Sequence, residues 1–261
     1  MATTAQTLTA NRAAGHLGRR NRKEKAAGKA ARQRQRILAV FLPVTAVLYI
    51  GAEALDPRGT DQVVTSTAVA LRLLPIAAAH SSQLYLSGSL SVLALGGLAV
   101  SYAAIAALVT GRGWVIATIA ALLGGLGAFA GAMLNVLGGI SLAAAASAHM
   151  TQMAAARFLV TSFGSGPAQA AAYVYFASEY AAPVVMGFAL WRSRAVPRWL
   201  AVLFTVGLEI AESMGAIGPK VVLYMLPFAV AMVLLAARIW RAATPPASRS
   251  PEPVAVLVSN P

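Results

Sequence analysis

The sequence contains no cysteine, so disulfides, thiolate metal sites and cysteine nucleophiles are all excluded. It is also poor in charge: 11% of the 261 residues are charged, against about 25% in a soluble globular domain. Acids are the scarcer sign, with 8 Asp and Glu against 21 Lys and Arg, and there are only 3 His. Few groups are therefore left for acid–base chemistry or metal ligation. Walker-type phosphate loops, a G-x-S-x-G elbow and a Rossmann fingerprint are all missing. No cofactor is expected, and nothing in the residues argues for an enzyme.

What is abundant is hydrophobic surface, 58% of the residues. It is arranged in runs of roughly 20 residues, the length needed to cross ~30 Å of hydrocarbon at 1.5 Å per residue. A soluble core would interrupt such runs with a polar face, whereas lipid solvates every side of a helix. The predicted fold is an all-α, polytopic membrane bundle over residues 37–241. Six spans are read at 37–55, 87–109, 114–137, 168–191, 199–215 and 221–240. Residues 62–79 predict an interfacial or external helix. Residues 138–163 read as an alanine-rich connection; as a seventh span they would move the C-terminus to the other side.

Both ends differ in composition from this region. Residues 1–36 hold ten Lys and Arg, with Leu8 and Leu17 as the only large aliphatics, and read as a basic tail, disordered or a fraying helix. The long basic stretch before 37–55, without a small-x-small cleavage site, predicts a retained signal anchor. Residues 242–261, rich in Pro, Ser and Ala, read as a second disordered tail. Positive charge gives the orientation. With both termini inside, 17 of the 21 basic residues fall on the cytoplasmic side. Trp114, Trp191, Trp199 and Trp240 then all sit at cytoplasmic span ends, where indole rings prefer the interface. A plasma-membrane location follows. The bilayer itself is the expected partner, with anionic headgroups at the basic tail. The pI near 11.1 reflects that tail and a few loop ends, so no specific nucleic acid is expected.

The acids inside spans carry the functional reading. Glu179 is 12 residues from Trp191 and Glu209 is 10 from Trp199, depths of about 18 and 15 Å from one interface. A charge at that depth costs roughly 3 kcal/mol on insertion scales, so such residues face a cavity or a partner. Tyr175, one turn before Glu179, is placed to donate a hydrogen bond to it. Pro183, four residues after Glu179, lacks the N–H that the Glu179 carbonyl would accept, which predicts a kink. Thr205, Glu209, Glu212 and Ser213 form one polar stripe on the next span. The reading is a facing carboxyl pair, Glu179 and Glu209, able to share a proton. Its alternative is two neutral acids acting as hydrogen-bond glue between helices.

Gly124, Gly127, Gly131 and Asn135 repeat every three or four residues in the third span, a surface on which another helix can approach closely. Gly88, Gly96 and Gly97 make a similar set in the second. Glu53, Asp56, Asp61, His80 and His149 fall on the outer face but lack the tight spacing of a metal site. They read as solvated loop groups, with no metal.

The stretch Leu55-Asp56-Pro57-Arg58-Gly59-Thr60-Asp61-Gln62, followed by a helix and His80, resembles the first external loop of an uncharacterised six-span membrane protein family of actinobacteria. The resemblance covers residues 37–241 and departs from the family pattern at Ser81, where proline usually follows the histidine. It implies a plasma-membrane protein and no particular activity. Three functions remain open on the residues: a small proton- or cation-coupled permease, a non-catalytic scaffold or accessory subunit forming homo-oligomers or joining a membrane partner, and a membrane-embedded lipid-modifying enzyme.

Overall fold

A computed structural model describes residues 2–59, 64–148, 150–214 and 220–244, with side chains from residue 28 onward except those of Glu212 and Met214. Every regular element among these residues is helical: α1 (Ala2–Leu55), α2 (Thr67–Ala79), α3 (Ser81–Ala106), α4 (Trp114–Asn135), α5 (Ser141–Ser147), α6 (Gln152–Phe163), α7 (Gly166–Ser193), α8 (Arg198–Met214) and α9 (Val221–Ala242). A π-helical turn, Val136–Ile140, joins α4 to α5. Four stretches are long and apolar enough to cross a membrane: Gly28–Leu55, Ser81–Ala106, Trp114–Ser147 and Val221–Ala242. By length and composition this is a membrane protein. Of the other two long helices, α7 carries Glu179 and Pro183 in its middle, and α8 has 17 residues.

The basic segment belongs to a helix. α1 continues from Ala2 straight into the apolar stretch. Ala, Arg, Lys and Gln are among the better helix formers, and the first proline is Pro43. The third apolar helix also runs past its expected end at 137, through the π-turn to Ser147. No proline occurs between 114 and 147 to stop it.

Six helices close a ring. α1 packs on α3, α3 on α4, α4 on α7, α7 on α8, α8 on α9, and α9 returns to α1. Chain direction alternates around it. Phe204, Phe228, Leu42, Met186, Leu190 and Leu208 are fully buried inside. Edge-on ring contacts link Tyr49 to Phe228 and Tyr102 to Phe204. Small residues set the spacing. Gly127 faces Ser178, Gly131 the ring of Tyr175, Gly124 the ring of Tyr102 and Gly97 the side chain of Thr45. The glycine face of α4 is thus used inside the chain, against α3 and α7. Gly96 and Gly125 face open space.

The ring has two unlike ends. At one, Arg36 stacks on Trp240 and donates to Thr244, and Arg198 stacks on Trp191. The α3–α4 turn at this end needs positive φ at Gly111 (68°) and Gly113 (107°), a backbone region that glycine alone enters freely. At the other end, α2, α5 and α6 build a small second core. Ala70, Leu73, Leu74 and Ala77, one stripe of α2, pack with Leu142, Ala143, Ala155, Ala156 and Leu159. Ser66 caps α2 by accepting the N–H of Val69.

Candidate functional site

Beneath this second core, five helices of the ring leave a cavity of about 120 Å³. α1 contributes Tyr49 and Glu53, α3 Ser91, α4 Asn135, α7 Tyr175, Glu179 and Tyr180, and α8 Ala211. Arg58 and Phe163 also line it, with Leu95, Leu134 and Phe176. α1 runs toward this end of the ring and α7 away from it. Because Cα–Cβ bonds tilt toward a helix N-terminus, Glu53 leans back into the ring and Glu179 leans up toward it. Both are half-buried.

Glu179 is held by its own helix and by α4. The Tyr175 hydroxyl donates to Glu179 Oε1 at 2.8 Å. A Cβ at position 131 would lie 2.7 Å from the Tyr175 ring, and one at 127 would lie 2.6 Å from the Ser178 Cβ. The two glycines therefore let α7 approach until Tyr175 and Glu179 reach the cavity. Asn135, on the same face, donates to the Gly131 carbonyl.

Arg58 and Asp56 are the residues that sequence reasoning misplaced. Asp56 is 6% exposed and Arg58 8%, so Asp56 is a buried group rather than a solvated loop acid. The Arg58 backbone N–H donates to Asp56 Oδ1 at 2.9 Å. Its guanidinium grips both carboxylate oxygens, Nε at 3.0 and 3.1 Å and the terminal nitrogen on Oδ2. Burial of either charge alone would be prohibitive; burial of the bidentate pair is not. Gln83 ties this corner to α3 by donating to the Leu55 carbonyl at 2.8 Å. The trace in the sequence was the Asp-Pro-Arg spacing, a local turn that lets residue 58 reach back to residue 56.

Glu209 is half-buried and does not line the cavity that takes Glu179. α7 runs unbroken through Pro183, whose own carbonyl accepts from Thr205 at 3.3 Å, while the same hydroxyl bonds Ala201. Thr205 packs directly on Gly187. Counted from that crossing, Glu209 stands level with Pro183, one turn or about 6 Å along α7 from Glu179. Ser213 is exposed. The side chain of Glu212, and Asp61 and His149 altogether, lie outside the described residues. His80 is exposed between α2 and α3. Among the described residues no group of three or more His, Asp or Glu is placed to hold a metal ion.

No protein-family model, curated protein or solved structure matches the chain.

Proposed function

We propose that this chain is a small cation- or proton-coupled permease of the plasma membrane, with six spans and both termini in the cytoplasm. The observation that carries the reading is that Glu53 and Glu179, on two different helices, line one cavity. Carboxyls inside a membrane bundle are costly to keep and mark ion or proton paths. Tyr175 orients one of them, as a site that must accept and release a cation requires. This assigns the second acid to Glu53; Glu209, one turn lower, would lie on the route inward. The closed ring of six helices supports six spans, since α7 and α8 complete it between α4 and α9. Arg and Trp gather at the end assigned to the cytoplasm, where the basic part of α1 would meet anionic headgroups.

Two experiments test the proposal. Reporter fusions after Arg112, after Ala195 and at the C-terminus should report cytoplasm, and fusions near residues 60, 150 and 218 the exterior. An external reading at 195 would end the six-span topology. For the activity, purified protein in liposomes with an imposed pH gradient should show coupled flux. Glu179→Gln should abolish it, with insertion and folding unchanged. Flux equal to wild type in the Gln variant would remove Glu179 from the path.

A further inference from the structure

Beside the acidic cavity lies a second, apolar hollow of about 310 Å³. The two share part of their walls: Leu134, Phe163 and Phe176 border both. Past these side chains the second hollow is walled chiefly by aliphatic and small residues, among them Val160 of α6 and Ala172 of α7. A polar chamber and an apolar one, divided by two aromatic rings and a leucine, suit a molecule with two unlike ends.

Charge selects the polar end. Two carboxyls, Glu53 and Glu179, line the first chamber with one guanidinium, Arg58, behind which stands a third carboxyl, Asp56. That guanidinium already grips Asp56. An anionic head would add to an existing excess of acid, whereas an ammonium would offset it. Size agrees: the acidic chamber, at about 120 Å³, is the smaller of the two, and the apolar hollow, at about 310 Å³, the larger.

We infer that the paired chambers bind a cationic amphiphile, an alkylammonium whose nitrogen sits between Glu53 and Glu179 and whose chain fills the hollow beyond Phe163 and Phe176. The inference rests on the cation-binding reading above and names its ligand class. Selectivity must come from the head. A chain already dissolved in lipid gains little by moving into another apolar surrounding, because apolar transfer is favourable only out of water. The ammonium, in contrast, passes from the interface to two carboxyls in a low-dielectric chamber, where attraction is much stronger.

The test uses the full chain in nanodiscs of zwitterionic lipid and a decylammonium probe bearing a diazirine at the chain end. After irradiation, label should concentrate on peptides covering residues 160–176, and unlabelled decylammonium should displace it. The alcohol with the same tail should label them at least about tenfold less, the scale of losing one charged hydrogen-bonded pair. Glu53→Gln and Glu179→Gln should each reduce labelling by about the same factor. Glu53→Asp and Glu179→Asp, which keep the charge, should retain most of it, separating loss of charge from loss of fold. Equal labelling by the alcohol, or Gln variants that label like wild type, would overturn the inference. Glu179-dependent proton flux without such labelling would also overturn it, leaving the transport reading in place. Carboxyl-dependent labelling in a protein without pH-coupled flux would support the amphiphile site and remove the transport reading instead.

Discussion

Asp56→Ala is expected to destabilise the folded protein by about 3–5 kcal/mol, the range for removing one partner of a buried ion pair. The loss arises from what remains. Arg58, 8% exposed, would remain as a buried guanidinium that has lost its bidentate partner. It would then sit against the π-turn near Gly139 without the carboxylate that its guanidinium grips. Arg58→Met in the same background should recover much of the stability, since an apolar side chain of similar length needs no counter-charge. Unfolding of the purified protein in mild detergent, followed by helical circular dichroism against added denaturing detergent, measures both. A single variant as stable as wild type would show that the pair is not buried in solution.

Gly207→Val should be the most damaging of the glycine substitutions, at roughly 1–3 kcal/mol or more. A Cβ at 207 would lie 2.7 Å from the Phe228 backbone nitrogen and 2.9 Å from the Pro227 carbonyl carbon. Neither atom can rotate aside as a side chain can, and Pro227 further stiffens α9 at that level. α8 and α9 would have to separate, opening the contact that lets α9 close the ring on α1. Gly125→Val is the matched control, because a Cβ at 125 meets nothing within 4 Å. Equal stability of the two variants, measured by the same unfolding assay, would show that α8 and α9 do not pack this closely.

Gly207 also shows where reading the chain stops short. The spaced glycines of α4 stand out because three recur on one face, and their contacts lie on α3 and α7. Gly187 and Gly207 belong to no spaced glycine repeat, and nothing in the surrounding residues distinguishes them from Gly96 or Gly125, which touch nothing. The difference lies entirely in which helix lies opposite. The acids behave in the same way. Tyr175 and Glu179 are four residues apart on one helix, so their hydrogen bond is a consequence of helical spacing and was legible. That Glu179 lines one cavity with Glu53, 126 positions earlier in the chain, was not.

The sequence by itself determined that the chain is helical, where most of its long helices lie, and that Arg and Trp mark one end. These are local properties: hydropathy, helix propensity and charge act within a few turns, and lipid accepts a helix on any of its faces. Only the tertiary structure decided the ring order, the cavity shared by Glu53 and Glu179, the burial of Asp56 with Arg58, and the continuation of α4 through a π-turn into the second core. In an apolar solvent, hydropathy cannot tell an inward face from an outward one. Lateral order is instead set by close packing of small residues and by satisfying the few buried polar groups. Those contacts join residues far apart in the chain, and no local pattern records them.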